Sequence, residues 1–139
     1  MAHDPKTARL AALPLFAGCS PRELDHLAPL LDEVRVAAGT VLVREGAVDP
    51  QAFLLLSGSA EVSVDGVVVA HVGPGELVGE MSLLHGRAPR TATVTAVGPV
   101  EAFVLTPRGL SSVLEQAPTV AARIEAEQER RRGETGRPG

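Results

Sequence analysis

Aromatic side chains are nearly missing from this sequence, which has three Phe, no Tyr and no Trp in 139 residues. That removes the stacking platforms on which single-stranded nucleic-acid binders depend, and it leaves a core to be built from Val, Leu and Ala. Positive charge is also short. The 13 Lys and Arg are outnumbered by 17 Asp and Glu, for a net charge of −4, whereas a phosphate backbone is bound by clustered Lys and Arg. Cys19 is the only cysteine, so neither an internal disulfide nor a zinc site of paired cysteines is available. It reads as a small, partly buried turn residue. No stretch approaches the ~20 apolar residues of a membrane span. The N-terminal residues 1–7 are polar and lack a signal-peptide core, so a cytoplasmic protein is expected. His3, His26, His71 and His85 are scattered without ligand spacing, and no nucleophile–base arrangement is visible. The expectation is a protein that is not an enzyme, with no catalytic residue and no metal.

What the chain does have is aliphatic content, with 45% of its residues hydrophobic, enough for a folded domain. The first third reads as helical. Ala8, Leu10 and Ala11 belong to a short helix ended by Pro14. Ser20 opens a second helix, with Pro21 in its first turn and Glu23 at the capping-box position; Leu24, Leu27, Leu30 and Leu31 fall on one face. From residue 34 the character changes to short Val-, Leu- and Thr-rich runs separated by glycine turns. These runs are 34–36, 41–43, 53–56, 60–64, 67–72, 91–96 and 100–105. Asp65-Gly66 between two of them is a type I′ hairpin signal. Seven or eight short strands at this spacing point to a sandwich or jelly roll. Thr106-Pro107 then starts a helix carrying Leu110, Val113 and Leu114, and Pro118 starts another. The last helix begins apolar at Val120, Ala121 and Ile124 and turns wholly polar from Glu125 to Arg132. Arg123, Glu127 and Arg131 are spaced there for solvated i,i+4 pairs.

One stretch breaks the strand rhythm, running from Gly75 to Val94. Within it, Gly79 allows close backbone approach, and a following helical turn would leave N–H groups pointing outward with partial positive charge. Arg90 supplies forked donors suited to the free oxygens of a phosphate. Glu80 is a carboxylate beside that anion site, which makes chemical sense if it accepts from a hydroxyl donor such as that of a ribose.

In this order the residues resemble the phosphate-binding cassette of the cyclic-nucleotide-binding domain family, to which catabolite activator proteins and kinase regulatory subunits belong. Val78, Gly79, Glu80, Met81, Ser82 and Leu83, followed by Arg90, Thr91 and Ala92, match its pattern. Gly39, the Arg44-Glu45-Gly46 turn, Phe53 to Gly58 and the Asp65-Gly66 hairpin fall in the family's order, so the likeness runs over about residues 13–124. The resemblance implies a mainly β fold with flanking helices: a double-stranded β-helix, or jelly roll, between N-terminal and C-terminal helices. It would be laid out as a helical extension over 1–12, the domain over 13–132 with its roll at about 34–106 and its helices at about 107–132, and a flexible tail over 133–139. It also implies roles for the cassette. Arg90 would pair with the cyclic phosphate, Glu80 and the Gly79 backbone would hold the ribose 2′-hydroxyl, and Ser82 and Leu83 would offer amides to the phosphate. Thr91 would place a hydroxyl near phosphate and base, which leaves cAMP and cGMP both open. The expected function is a stand-alone regulatory module that binds cAMP or cGMP without a further cofactor. It would act through an effector protein or a homodimer, with no DNA-binding domain and no membrane partner. The alternative is a roll that keeps the fold without binding nucleotide and serves as a protein interaction module.

Overall fold

The computed structural model describes residues 5–47, 51–79 and 92–135. Their contacts divide into two units: Leu31–Leu110, and the residues up to Leu30 together with those from Ser111 onward. Each unit follows from local sequence chemistry.

Leu31–Leu110 holds two four-stranded antiparallel sheets. The strands are β1 (Asp32–Val36), β2 (Val41–Val43), β3 (Ala52–Ser57), β4 (Ala60–Val64), β5 (Val67–Val72), β6 (Leu77–Val78), β7 (Thr93–Ala96) and β8 (Val100–Leu105). One sheet has the order β1-β8-β3-β6 and the other β2-β7-β4-β5. Between them lies an aliphatic cluster that includes Leu42, Val43, Phe53, Leu55, Val78, Val94, Ala102 and Val104. Strand alternation puts most of these side chains on the facing surfaces of the sheets, and the register shift between Val41 and Val43 in β2 lets consecutive Leu42 and Val43 both join the cluster. In β3 and β8 the other face is apolar too, with Leu54, Phe103 and Leu105 at most 2% exposed, so both strands read as near-continuous hydrophobic runs. β4 and β5 are joined by Asp65 and Gly66 at φ 52° and 81°, the left-handed pair that a type I′ turn requires.

The expected strands recur with shifted ends. The run at 91–96 forms a strand only from Thr93 to Ala96; Ala92 precedes it in a bend, and Thr91 lies outside the described residues. β6 has no counterpart among the expected runs. It has two residues and exists through its partner, with Val78 opposite Phe53 and Leu77 opposite Leu54.

The helical unit contains α1 (Pro5–Ala11), a 3-10 turn at Pro14–Phe16, α2 (Pro21–Leu27) and a 3-10 turn at Ala28–Leu30. After α3 (Pro107–Gln116), it continues in α4 (Pro118–Thr135). The capping box is present in full: Ser20 Oγ accepts from Glu23 N–H and Glu23 Oε1 accepts from Ser20 N–H. Thr106 Oγ1 accepts from Gly109 N–H and so caps α3. Leu10, Leu27, Val120 and Ile124 are buried. α4 continues through Gly133 to Thr135, since one helical glycine costs only about 1 kcal/mol. One expectation needs correction here. Arg123, expected in solvated pairs with Glu127 and Arg131, instead donates from Nη1 to the carbonyls of Pro14, Leu15 and Ala17.

Candidate functional site

Of the nine residues that the sequence points to, Val78, Gly79 and Ala92 are described. Glu80, Met81, Ser82, Leu83, Arg90 and Thr91 lie outside the described residues. The described residues form the two ends of the cassette.

The entry is built on a tight turn. Gly73 N–H donates to Glu76 Oε2 at 2.8 Å, Gly75 takes φ 89°, and Gly75 N–H donates to the Leu55 carbonyl at 2.8 Å. This turn delivers Leu77-Val78 to the edge of the first sheet beside β3. Val78 is 3% exposed and belongs to the inter-sheet cluster, so its side chain is committed to the core. What it gives the site is the placement of Gly79. Gly79 follows at φ 83°, a conformation that a side chain makes costly, and there the chain turns away from the strand.

The exit is built on the other sheet. Ala92 is half-buried, and β7 begins at Thr93 between β2 and β4. Thr93 Oγ1 accepts from the Glu45 N–H at 3.0 Å. The same Glu45 accepts through Oε1 from Asp65 N–H at 3.1 Å, which ties the Arg44-Glu45-Gly46 turn to the tip of the β4–β5 hairpin. The sequence did not single out Thr93 and Glu45 as site supports. For Thr93 a signal exists: buried Val94 and Ala96 alternate with half-buried Thr93 and Thr95, which turns the two threonines away from the core. For Glu45 there is none, because its partners lie 48 and 20 residues away. Residues 80–91 therefore join the edge strand of one sheet to an inner strand of the other.

Other reactive groups are elsewhere in the chain. Burial, followed by the nearby Glu23 carboxylate, pushes the Cys19 thiol up, and Arg123 only partly opposes this. Cys19 is thus held as the thiol near neutral pH, where a nucleophile would need the thiolate. Among the described residues no group of three or more His, Cys, Asp or Glu could hold a metal ion. No described helix is long and apolar enough to cross a membrane.

The family model for the cyclic nucleotide-binding domain matches residues 33–117, a span that contains the strands β2 to β8 of the Leu31–Leu110 unit and the cassette between β6 and β7. The chain belongs to the cyclic nucleotide-binding domain family. Among its relatives, the Acetyltransferase Pat of Mycolicibacterium smegmatis is 42% identical over 105 residues, covering 71% of this chain and 31% of that protein. The cAMP-dependent protein kinase regulatory subunit of Emericella nidulans is 32% identical over 120 residues, covering 85% and 29% respectively. In structure, the Thermus thermophilus Catabolite Activator Protein superposes with a TM-score of 0.76 at 30% identity, over 87% of this chain and 59% of that one. The β-roll with helices on either side in the chain is thus the fold of a cyclic nucleotide-binding domain. The chain spans about a third of the length of the curated relatives it matches.

Proposed function

We propose that this domain binds a cyclic nucleotide, cAMP in preference to cGMP, on the segment from Gly79 to Ala92, and that its occupancy regulates a partner protein or a second copy. The observation that carries the reading is the mounting of that segment within the family-matched region. A left-handed glycine sits at its entry on one sheet, and a hydrogen-bonded threonine at its exit on the other. Ends held on two sheets lower the ordering cost of bringing amides and an arginine onto one phosphate. In this reading Arg90 pairs with the cyclic phosphate, and Glu80 accepts from the ribose 2′-hydroxyl beside the Gly79 backbone. Ser82 and Leu83 donate amides to the phosphate. Met81 and Ala92 set the spacing, and the Thr91 hydroxyl serves the phosphate rather than the base. The choice of cAMP draws support from the Emericella relative, which is named as cAMP-dependent.

Isothermal calorimetry with cAMP and cGMP on the wild type and Arg90→Ala tests this. Micromolar or tighter cAMP binding is expected, weaker for cGMP. Arg90→Ala should lose at least 30-fold in affinity, since truncating one partner of a charge-assisted pair costs about 2–5 kcal/mol. No heat with either nucleotide, from protein that is folded by circular dichroism, overturns the reading.

A further inference from the structure

Thr93, the first residue of β7, sits in a closed frame of hydrogen bonds. On one side it forms the terminal pair with β4, opposite Ser63. On the other, main-chain pairing with β2 stops one residue short, at Val43 opposite Val94, and the Glu45 N–H reaches Thr93 Oγ1 at 3.0 Å instead. Glu45 is the second residue of a turn closed by Ala47 N–H on the Arg44 carbonyl, with Gly46 third at φ 82°. The amide of a turn's second residue takes no part in the turn's own hydrogen bond, so it is available to the threonine. Asp65 holds the same place in the turn from Val64 to Val67, and its N–H goes to Glu45 Oε1 at 3.1 Å. Asp65 follows Ser63 by two residues, which closes the ring. One half-buried glutamate thus links Thr93 to the tip of the hairpin whose strand Thr93 pairs with.

We propose that Glu45 is a positioning residue for the nucleotide: by fixing Thr93 it fixes the point from which the chain presents Arg90. The role rests on the binding reading above, in which Arg90 pairs with the phosphate. Three residues of chain span at most about 11 Å, so the start of β7 limits where Arg90 can reach. A forked guanidinium has to meet two oxygens in set directions, which makes it sensitive to that placement. Without the Glu45 carboxylate the Asp65 amide turns to water, and the turn that holds Thr93 is no longer tied to the hairpin. Ordering Arg90 is then left to the ligand, at a cost in affinity. The carboxylate acts here as a hydrogen-bond acceptor, and an amide oxygen at the same position can accept the same bond.

The test is calorimetric titration of the whole chain with cAMP, on variants checked for folding by circular dichroism. Glu45→Ala should raise Kd about five- to thirty-fold, the range of coupling within one hydrogen-bond network. Glu45→Gln should bring it back to within about three-fold of wild type, since the acceptor is kept. Thr93→Val, which opens the ring at its other bond, should weaken binding as Glu45→Ala does, and Thr93→Ser should recover it. Arg90→Lys keeps a cation and loses the fork, so on that background Glu45→Ala should change Kd by less than about three-fold. A purely structural role would give the same loss with Arg or Lys at position 90. The positioning role alone is overturned if wild type binds and Glu45→Ala binds as tightly. It is equally overturned if Glu45→Gln recovers nothing, or if the loss persists in full beside Arg90→Lys. A folded wild type that takes up no cAMP sinks the binding reading itself, and the positioning role with it.

Discussion

A single guanidinium nitrogen ties together segments of this chain more than 100 positions apart. Arg123 Nη1 donates to the carbonyls of Pro14, Leu15 and Ala17 at 3.3, 3.0 and 2.6 Å. The helix α4 is thereby fixed to the 3-10 turn that precedes α2. Hydrogen bonds to a charged donor contribute more than neutral ones; truncating the donor leaves the Leu15 and Ala17 carbonyls to find water, while the Pro14 carbonyl still accepts from Ala17 N–H. Arg123→Ala is expected to destabilise the chain by about 1–3 kcal/mol in urea denaturation. Ser20→Ala, which removes the short-range capping box, should cost about 1 kcal/mol. If Ser20→Ala proves the more costly, the Arg123 contacts contribute less than a single helix cap. The cap was legible from Ser20-Pro21-Arg22-Glu23, because its partners are three residues apart. The destination of Arg123 was not, since i,i+4 spacing describes its neighbours on the helix and says nothing of a turn at the other end of the chain.

At the scale of elements, glycines with the same backbone conformation separate into two kinds. Gly58 and Gly66 both have positive φ, at 85° and 81°. A Cβ on Gly66 would meet nothing within 4 Å, whereas one on Gly58 would run into the Pro99 carbonyl oxygen and crowd Val100. Gly66→Ala should therefore cost only the left-handed strain, about 1–2 kcal/mol. Gly58→Ala adds a collision with backbone that cannot swing aside, and is expected to cost more than about 3 kcal/mol, read as the shift in denaturation midpoint. Equal costs would mean that the β3–β4 and β7–β8 turns separate easily. The hairpin at Asp65-Gly66 was legible because a two-residue turn needs those residue types, as were the strands whose aliphatic runs are long enough to show a pattern. β6 was not legible. Leu77-Val78 is too short to display a period, and only pairing with Phe53 and Leu54 makes it a strand.

For the whole molecule, the candidate site was readable as chemistry but not as construction. In sequence, Gly79, Glu80 and Arg90 suggest an anion site with a sugar alongside, and all three lie within the family-matched span 33–117. That its ends are carried by different sheets depends on strand order, which is long-range and leaves no trace in local spacing. This construction makes a thermodynamic prediction. A ligand that binds only the folded state stabilises it by RT ln(1 + [L]/Kd), about 2.7 kcal/mol at 100-fold over Kd. For a chain of this length that corresponds to a rise in Tm on the order of 5–10 °C. α3 runs unbroken from Pro107 to Gln116 across the border at Leu110 between the two units. The sheets and the helices should therefore melt together, and amide hydrogen exchange in the strands and the helical far-ultraviolet signal should report the same stabilisation when cAMP is added. In Arg90→Ala neither should move. A wild-type melt in which the sheets shift while the helical signal stays put would mean that occupancy is not transmitted along α3. The C-terminal helix could then not carry the regulatory output, which would have to leave through the β-roll itself.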